Sequence, residues 1–270
     1  MSYNNFMPTI WSEKILSELD RWNVFKDTCD YSFEGEAKRG AEVKILAVGA
    51  PTIGTYVPNT KIKPPERVPD SSVYLKIDQY RYFNYGIDDV DKAQAKKGVM
   101  GKLATNTSRA IAAEYDEYIA KLCAKEAGHK IASTQVTDGT TALKLIDDAF
   151  VMLWDEGVRG DIDIMVAPWY YRLLKNELTE IKTDNDNLVK TGTLKNFNGA
   201  LIHMSHNLFK DNTDTHIIVK TRDGVATANG IDEVEAFRPH DDFSDAIKGL
   251  HCYGAKAVRP KEIVCIKAHQ

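Results

Sequence analysis

His203 and His206, three residues apart where a strand is expected to end, are the first pair in the chain with metal-binding chemistry. Residues three apart on a strand point to opposite faces, and no third ligand stands nearby, so the spacing does not make a metal centre. Asp88, Asp89 and Asp91 could form a carboxylate site. They stand at the start of a long helical pattern, where carboxylates favour the positive end of the helix dipole, and capping explains them fully. Asp184 and Asp186 begin as a calcium loop begins, but the glycine and the terminal glutamate at loop spacing are missing. Arg159-Gly160-Asp161 is an integrin-type tripeptide between a helix and a strand, and it arises often by chance. No glycine-rich dinucleotide fingerprint, phosphate loop or nucleophile elbow is present. Cys29, Cys123, Cys252 and Cys265 include no C-x-x-C pair and no neighbouring His/Asn arrangement suited to a nucleophile. Cys252 and Cys265 fall in expected strands and read as buried apolar residues. The expected catalytic, cofactor-binding and metal sets are therefore empty, and the chain reads as a non-enzyme without cofactors.

The chain has 270 residues, 43% hydrophobic and 27% charged, with a net charge of −4. That composition belongs to an ordinary folded protein and argues against wholesale disorder. A near-neutral charge excludes a large basic surface for reading nucleic acid. No apolar stretch reaches the roughly 18 residues of a membrane span, so no membrane partner is expected. Four thiols without a secretory leader point to a reducing compartment and free cysteines.

The elements that would position any site are unevenly distributed. Ile10, Ile15, Leu16, Leu19, Trp22 and Phe25 recur at helical steps, with Trp11 and Trp22 as large apolar anchors. Val43, Ile45 and Val48 predict a strand, and Val73, Leu75 and Ile77 alternate with Tyr74, Lys76 and Asp78 in a second. The connection from about 49 to 71 is dense in Pro and Gly and exceeds the roughly 12–15 residues usual for a structureless loop. It carries Ile53, Tyr56, Val57, Ile62 and Val68, so it is not a polar linker, and an extended hairpin of this kind calls for a partner surface, a neighbouring subunit first and its own domain as the alternative. Residues 88 to 127 predict one long helix with the stripe Met100, Leu103, Thr107, Ile111, Tyr115, Tyr118 and Leu122, stopped by Gly128. Beyond it the pattern is α/β. Thr140 or Thr141 caps a helix that ends at Gly157, Ile162–Ala167 is a buried strand, and Pro168 opens another helix. Strands follow at 200–204, 217–220, 225–228 and 234–237, with Arg222-Asp223-Gly224 as a hairpin turn. Closing strands at 249–258 and 263–267 are split by Pro260. The fold class expected is α+β.

The order of these elements resembles the HK97-type major capsid proteins of tailed bacteriophages, over nearly the whole chain. Val73–Asp78 through Phe83–Asp91 is similar to the return strand of that family's extended loop and its join to a spine helix. Ile164–Tyr170 followed by Leu173-Leu174 resembles the central strand-to-helix step of its axial domain. Gly199–Leu208, Phe243–Leu250 and Tyr253–Pro260 resemble the return to the periphery and the closing strands. The resemblance implies five parts: an N-terminal arm at 1–33, an extended loop at 34–86, a spine helix with the start of a peripheral domain at 87–134, an axial domain at 135–210, and a return to the peripheral domain with closing strands at 211–270. It implies hexamers and pentamers of an icosahedral shell enclosing double-stranded DNA without sequence specificity. It places the protein in the virion, after synthesis in the host cytoplasm. Trp11, Trp22, Ile53, Tyr56, Val57 and Ile62 are then the expected inter-subunit contacts of arm and loop. The arm helix begins near Ile10 and the chain begins with Met1, so a separate scaffolding protein is expected, beside a portal and, optionally, a decoration protein. Two alternatives stand beside this reading: an encapsulin-like bacterial nanocompartment shell, and a small-molecule enzyme built on 135–210.

Overall fold

Val43, Ile45, Leu75 and Ile77 alternate with polar residues, and the alternation becomes an antiparallel ribbon of β1 (Glu42–Val48) and β2 (Asp70–Lys76). In this computed structural model the residues described are 22–33, 42–48, 70–88, 99–180, 196–240 and 244–270, with short stretches or single positions at 15, 18, 53–56, 58, 61 and 64. The ribbon register runs from Glu42 opposite Lys76 to Val48 opposite Asp70. The apolar face packs on Ala226, Ala228 and Cys252, and the other exposes Lys44 and Tyr74, with Lys76 Nζ 3.1 Å from Glu42.

After two residues the chain enters β3 (Gln79–Asp88), which pairs with β11 (Ser244–Ala257), itself paired with β10 (Val225–Phe237). Arg81, Phe83 and Tyr85 of β3 face helix α1 (Val99–Glu126): Phe83 and Tyr85 pack with Ala104 and Ile247, and Arg81 Nε lies 3.4 Å from Glu114. The helix is 28 residues long, about 42 Å. Asp88 ends β3 opposite Ser244, where the period-two pattern of Phe83, Tyr85 and Ile87 carries the ladder; Asp89, Asp91 and the helix start they are expected to cap lie outside the described residues. Gly128 ends the helix as expected, but through close approach. Its N–H donates to the Pro260 carbonyl at 2.8 Å, and a Cβ there would stand 2.6 Å from that oxygen.

The second sheet holds most of the core. Its order is β4 (His129–Gln135), β12 (Ile263–His269), β9 (Asp214–Thr221), β5 (Ile162–Val166), β7 (Ala200–Met204), β6 (Asn196–Phe197), with β8 (Lys210–Asp211) on β9. Every residue of β5 is buried, as suits a central strand with packing on both faces. Helices α2 (Gly139–Asp155) and α3 (Pro168–Glu180) pack on each other, and the Tyr170 hydroxyl donates to the Ala142 carbonyl at 2.7 Å. The cap of α2 is Asp138, whose carboxylate accepts from Thr141 N at 3.4 Å; Thr140 and Thr141 lie inside the helix. Gly157, at φ +80°, turns the chain out of α2.

Two expectations change here. Arg222-Asp223-Gly224 is not a hairpin turn, because β9 already has β5 and β12 on its two sides and cannot pair with β10. The three residues are a short helical turn that passes the chain between sheets, held by Val258 and Arg259 N–H groups on the Gly224 carbonyl. The strands expected at 225–228 and 234–237 are one strand with an irregularity between Asn229 and Ile231. β9 and β12, from the last segment, belong to the sheet built on β4, β5 and β7.

Candidate functional site

The residues with chemical potential are engaged structurally. His203 Nε2 lies 2.9 Å from Asp163 Oδ1, while His206 is exposed in the following turn. Among the described residues no three His, Cys, Asp or Glu side chains converge as a metal site. Ser133, Asp214 and His269 meet at the end of the large sheet, with Ser133 Oγ 2.8 Å from Asp214 Oδ1 and His269 Nδ1 2.9 Å from the same oxygen. That is no catalytic relay, since one imidazole nitrogen faces both partners instead of bridging them.

All four cysteines are free and buried. Burial pushes the Cys123 thiol up to about 12 and Cys265 to about 11, and raises Cys29. His216 Nδ1 is 3.2 Å from Cys265 Sγ, but burial also lowers the imidazole, so the pair stays neutral. Thiol-specific reagents at mildly alkaline pH should therefore label the native chain at least about a hundredfold more slowly than the unfolded chain. Rapid labelling of one native cysteine would overturn that assignment.

The first assembled feature is an anchor beneath the arm. Asp116, fully buried on α1, accepts from Phe25 N at 3.1 Å and Val24 N at 3.2 Å, and Asn207 Nδ2 approaches at 3.5 Å. The fully buried Lys220 of β9 donates to the Thr28 carbonyl. Arg222 Nε donates to the Cys29 carbonyl at 3.3 Å, and its guanidinium lies 4.8 Å from the Tyr31 ring centroid. Asp30 then bridges β10, donating to Val225 O and accepting from Thr227 N. A carboxylate takes the N–H groups and two cations take the carbonyls, so the segment is held by complementary charge. Trp22 sits within the same chain, its ring 4.0 Å under the Arg109 guanidinium and its Nε1 donating to Glu18 at 3.0 Å. Sequence reasoning missed Asp116, Lys220 and Arg222. One signal was present: Asp116 follows Ala112 by four residues, on the apolar side of the helix, where a carboxylate needs a partner.

The second feature is the hairpin base. β11 crosses under the β2–β3 junction at Gly254, where a Cβ would collide with the Lys76 carbonyl oxygen and stand 2.9 Å from Ile77 Cα. Beyond the ribbon, Ile53 is 94% exposed and Tyr56 64% exposed. A groove of about 680 Å³ runs between the hairpin base and α1, lined by Tyr74, Lys76, Arg81, Tyr118 and Lys121 among others. Trp11, Val57 and Ile62 lie outside the described residues. Residues 24–29 are thus held against the sheets, and Ile53, Tyr56 and Tyr74 present aromatic and aliphatic side chains to solvent.

No protein-family model and no curated protein sequence matches the chain. Solved structures do. The chain is 30% identical to one from Mycobacterium phage Che8, with a TM-score of 0.76, over 90% of each chain. It is 17% identical to a chain of the capsid of cyanophage P-SCSP1u, with a TM-score of 0.71, over 86% of this chain and 84% of that one. The chain belongs to the HK97-like major capsid proteins of tailed phages. A virus-like particle from Pyrococcus furiosus shares the fold at a TM-score of 0.61 and 12% identity, over 96% and 99% of the two chains. As a member of the capsid family, the chain is a shell-forming structural protein of the virion. Its relatives are structural proteins, in accord with a site that holds contacts in place of a reactive centre.

Proposed function

We propose that this capsid protein assembles into hexamers and pentamers of an icosahedral shell enclosing double-stranded DNA. The observation that carries the reading is the 30% identity to the Che8 chain over nine-tenths of both chains. In this reading residues 1–33 are the arm and 34–86 the loop lying over a neighbouring copy. Residues 87–134 and 211–270 supply the peripheral domain, and 135–210 the axial domain, with β9 and β12 contributed to its sheet. Ile53 and Tyr56, with Val57 and Ile62, contact the neighbour, and Trp11 and Trp22 do so from the arm. The net charge of −4 suits a container that packs DNA without gripping it. A separate scaffolding protein and a portal, with a decoration protein as an optional addition, are the partners in this reading, and the chain is made in the host cytoplasm. A nanocompartment shell shares the architecture, and the higher identity to a phage chain favours the phage reading.

Electron microscopy of the chain expressed with its scaffold should show hollow closed particles or ring-shaped capsomers. A stable 30.3 kDa monomer under every condition would sink the proposal.

A further inference from the structure

We propose that Asp116 is a proton-operated latch between the spine helix and residues 23–28, one that holds this segment more tightly as the pH falls. The carboxylate is fully buried, and its partners are all neutral donors: Phe25 N at 3.1 Å, Val24 N at 3.2 and 3.3 Å to the two oxygens, and Asn207 Nδ2 at 3.5 Å. Charge-assisted bonds to a carboxylate normally close to about 2.7–2.9 Å. These longer contacts leave part of the desolvation cost uncompensated.

The ionisable groups on the surrounding elements do not neutralise it. Lys220 of β9 directs its ammonium to the Thr28 carbonyl. Asp27 of the docked segment and His206 beside Asn207 are exposed, Lys26 is half-buried, and the neighbouring Glu117 of α1 is exposed. Burial accordingly raises the Asp116 carboxyl from 3.8 to about 6, against the lowering effect of the Phe25, Val24 and Asn207 bonds.

The direction follows from linkage. When the segment lifts, the carboxyl meets water and returns towards its ordinary value, so the docked state binds the proton more tightly. Docking is strongest below the ordinary carboxylate range and weakens as pH rises through about 6. Between about pH 7.5 and about pH 5 the docking constant should rise about tenfold.

Hydrogen exchange on the full chain tests this. After correction for intrinsic rates, the Phe25, Thr28 and Cys29 amides should gain about tenfold protection over that range. In Asp116→Asn, which keeps an acceptor but cannot titrate, protection should not change with pH. A flat wild-type profile, or the same rise in the variant, overturns the latch. If the variant does not fold, the carboxyl ¹³C shift of Asp116 in the wild type decides: a midpoint near 6 supports the latch, and one in the ordinary carboxylate range refutes it.

Discussion

A chain in which residues 49–69 are replaced by Asn-Gly should fold at least as stably as the parent and fail to form closed shells. The ribbon register ends with Val48 opposite Asp70, so a two-residue turn of the type Asn-Gly favours can close it without moving the ladder. Shortening the connection from 21 residues to two lowers its closure entropy by about 2 kcal/mol. The hairpin base stays in place, because the Val43, Ile45, Leu75 and Ile77 face still packs on Ala226, Ala228 and Cys252. What disappears is Ile53, Tyr56, Val57 and Ile62, apolar side chains assigned to the neighbouring subunit. Fold and assembly should thus respond in opposite directions. Thermal unfolding and electron microscopy of the same preparation read both. Normal shells would remove the loop from the inter-subunit contact, and a large loss of stability would place it in the core of its own chain.

Gly254→Ala should do the converse: leave every apolar contact residue present and misdirect the ribbon. The added methyl would meet the Lys76 carbonyl group, its carbon at 2.8 Å and its oxygen nearer still, with Ile77 Cα at 2.9 Å. These are backbone atoms, which cannot turn aside as a flexible side chain can. Overpacking of this kind costs about 1–3 kcal/mol, and for a chain of this size each kcal/mol lowers Tm by roughly 2–4 °C. The small cluster beneath the ribbon is the part that yields, so the ribbon should tilt off β11 and assembly should fail. Gly160→Ala is the matched control, since nothing lies within 4 Å of its would-be Cβ. A Gly254→Ala chain with parental Tm and normal shells would show that the crossing does not aim the hairpin.

Much of this was legible from residue order. The period-two alternation at Val73–Ile77, the largely apolar Ile162–Val166 and the Pro168 helix start are local signals, and each element stands where its pattern predicted. Local signals misled where partners compete. Arg222-Asp223-Gly224 has hairpin composition, but pairing is decided by which strands already flank β9. Asp88 lies opposite Ser244, 156 residues away, in a ladder no short window contains.

The arm anchor is the clearest case of a site invisible in one dimension. Asp116, Lys220 and Arg222 share no motif, and each meets residues 24–29 across 91 to 193 positions of chain. The sequence by itself determined the inventory: which stretches form strands and helices, and that one long connection carries apolar side chains. Those properties follow from side-chain periodicity and composition, which act over a few residues. Only the tertiary structure decided which strands share a sheet, why a glycine stands at 254, and which buried charges hold the arm. Those depend on close approach and desolvation between distant segments, and neither is defined until the chain has folded.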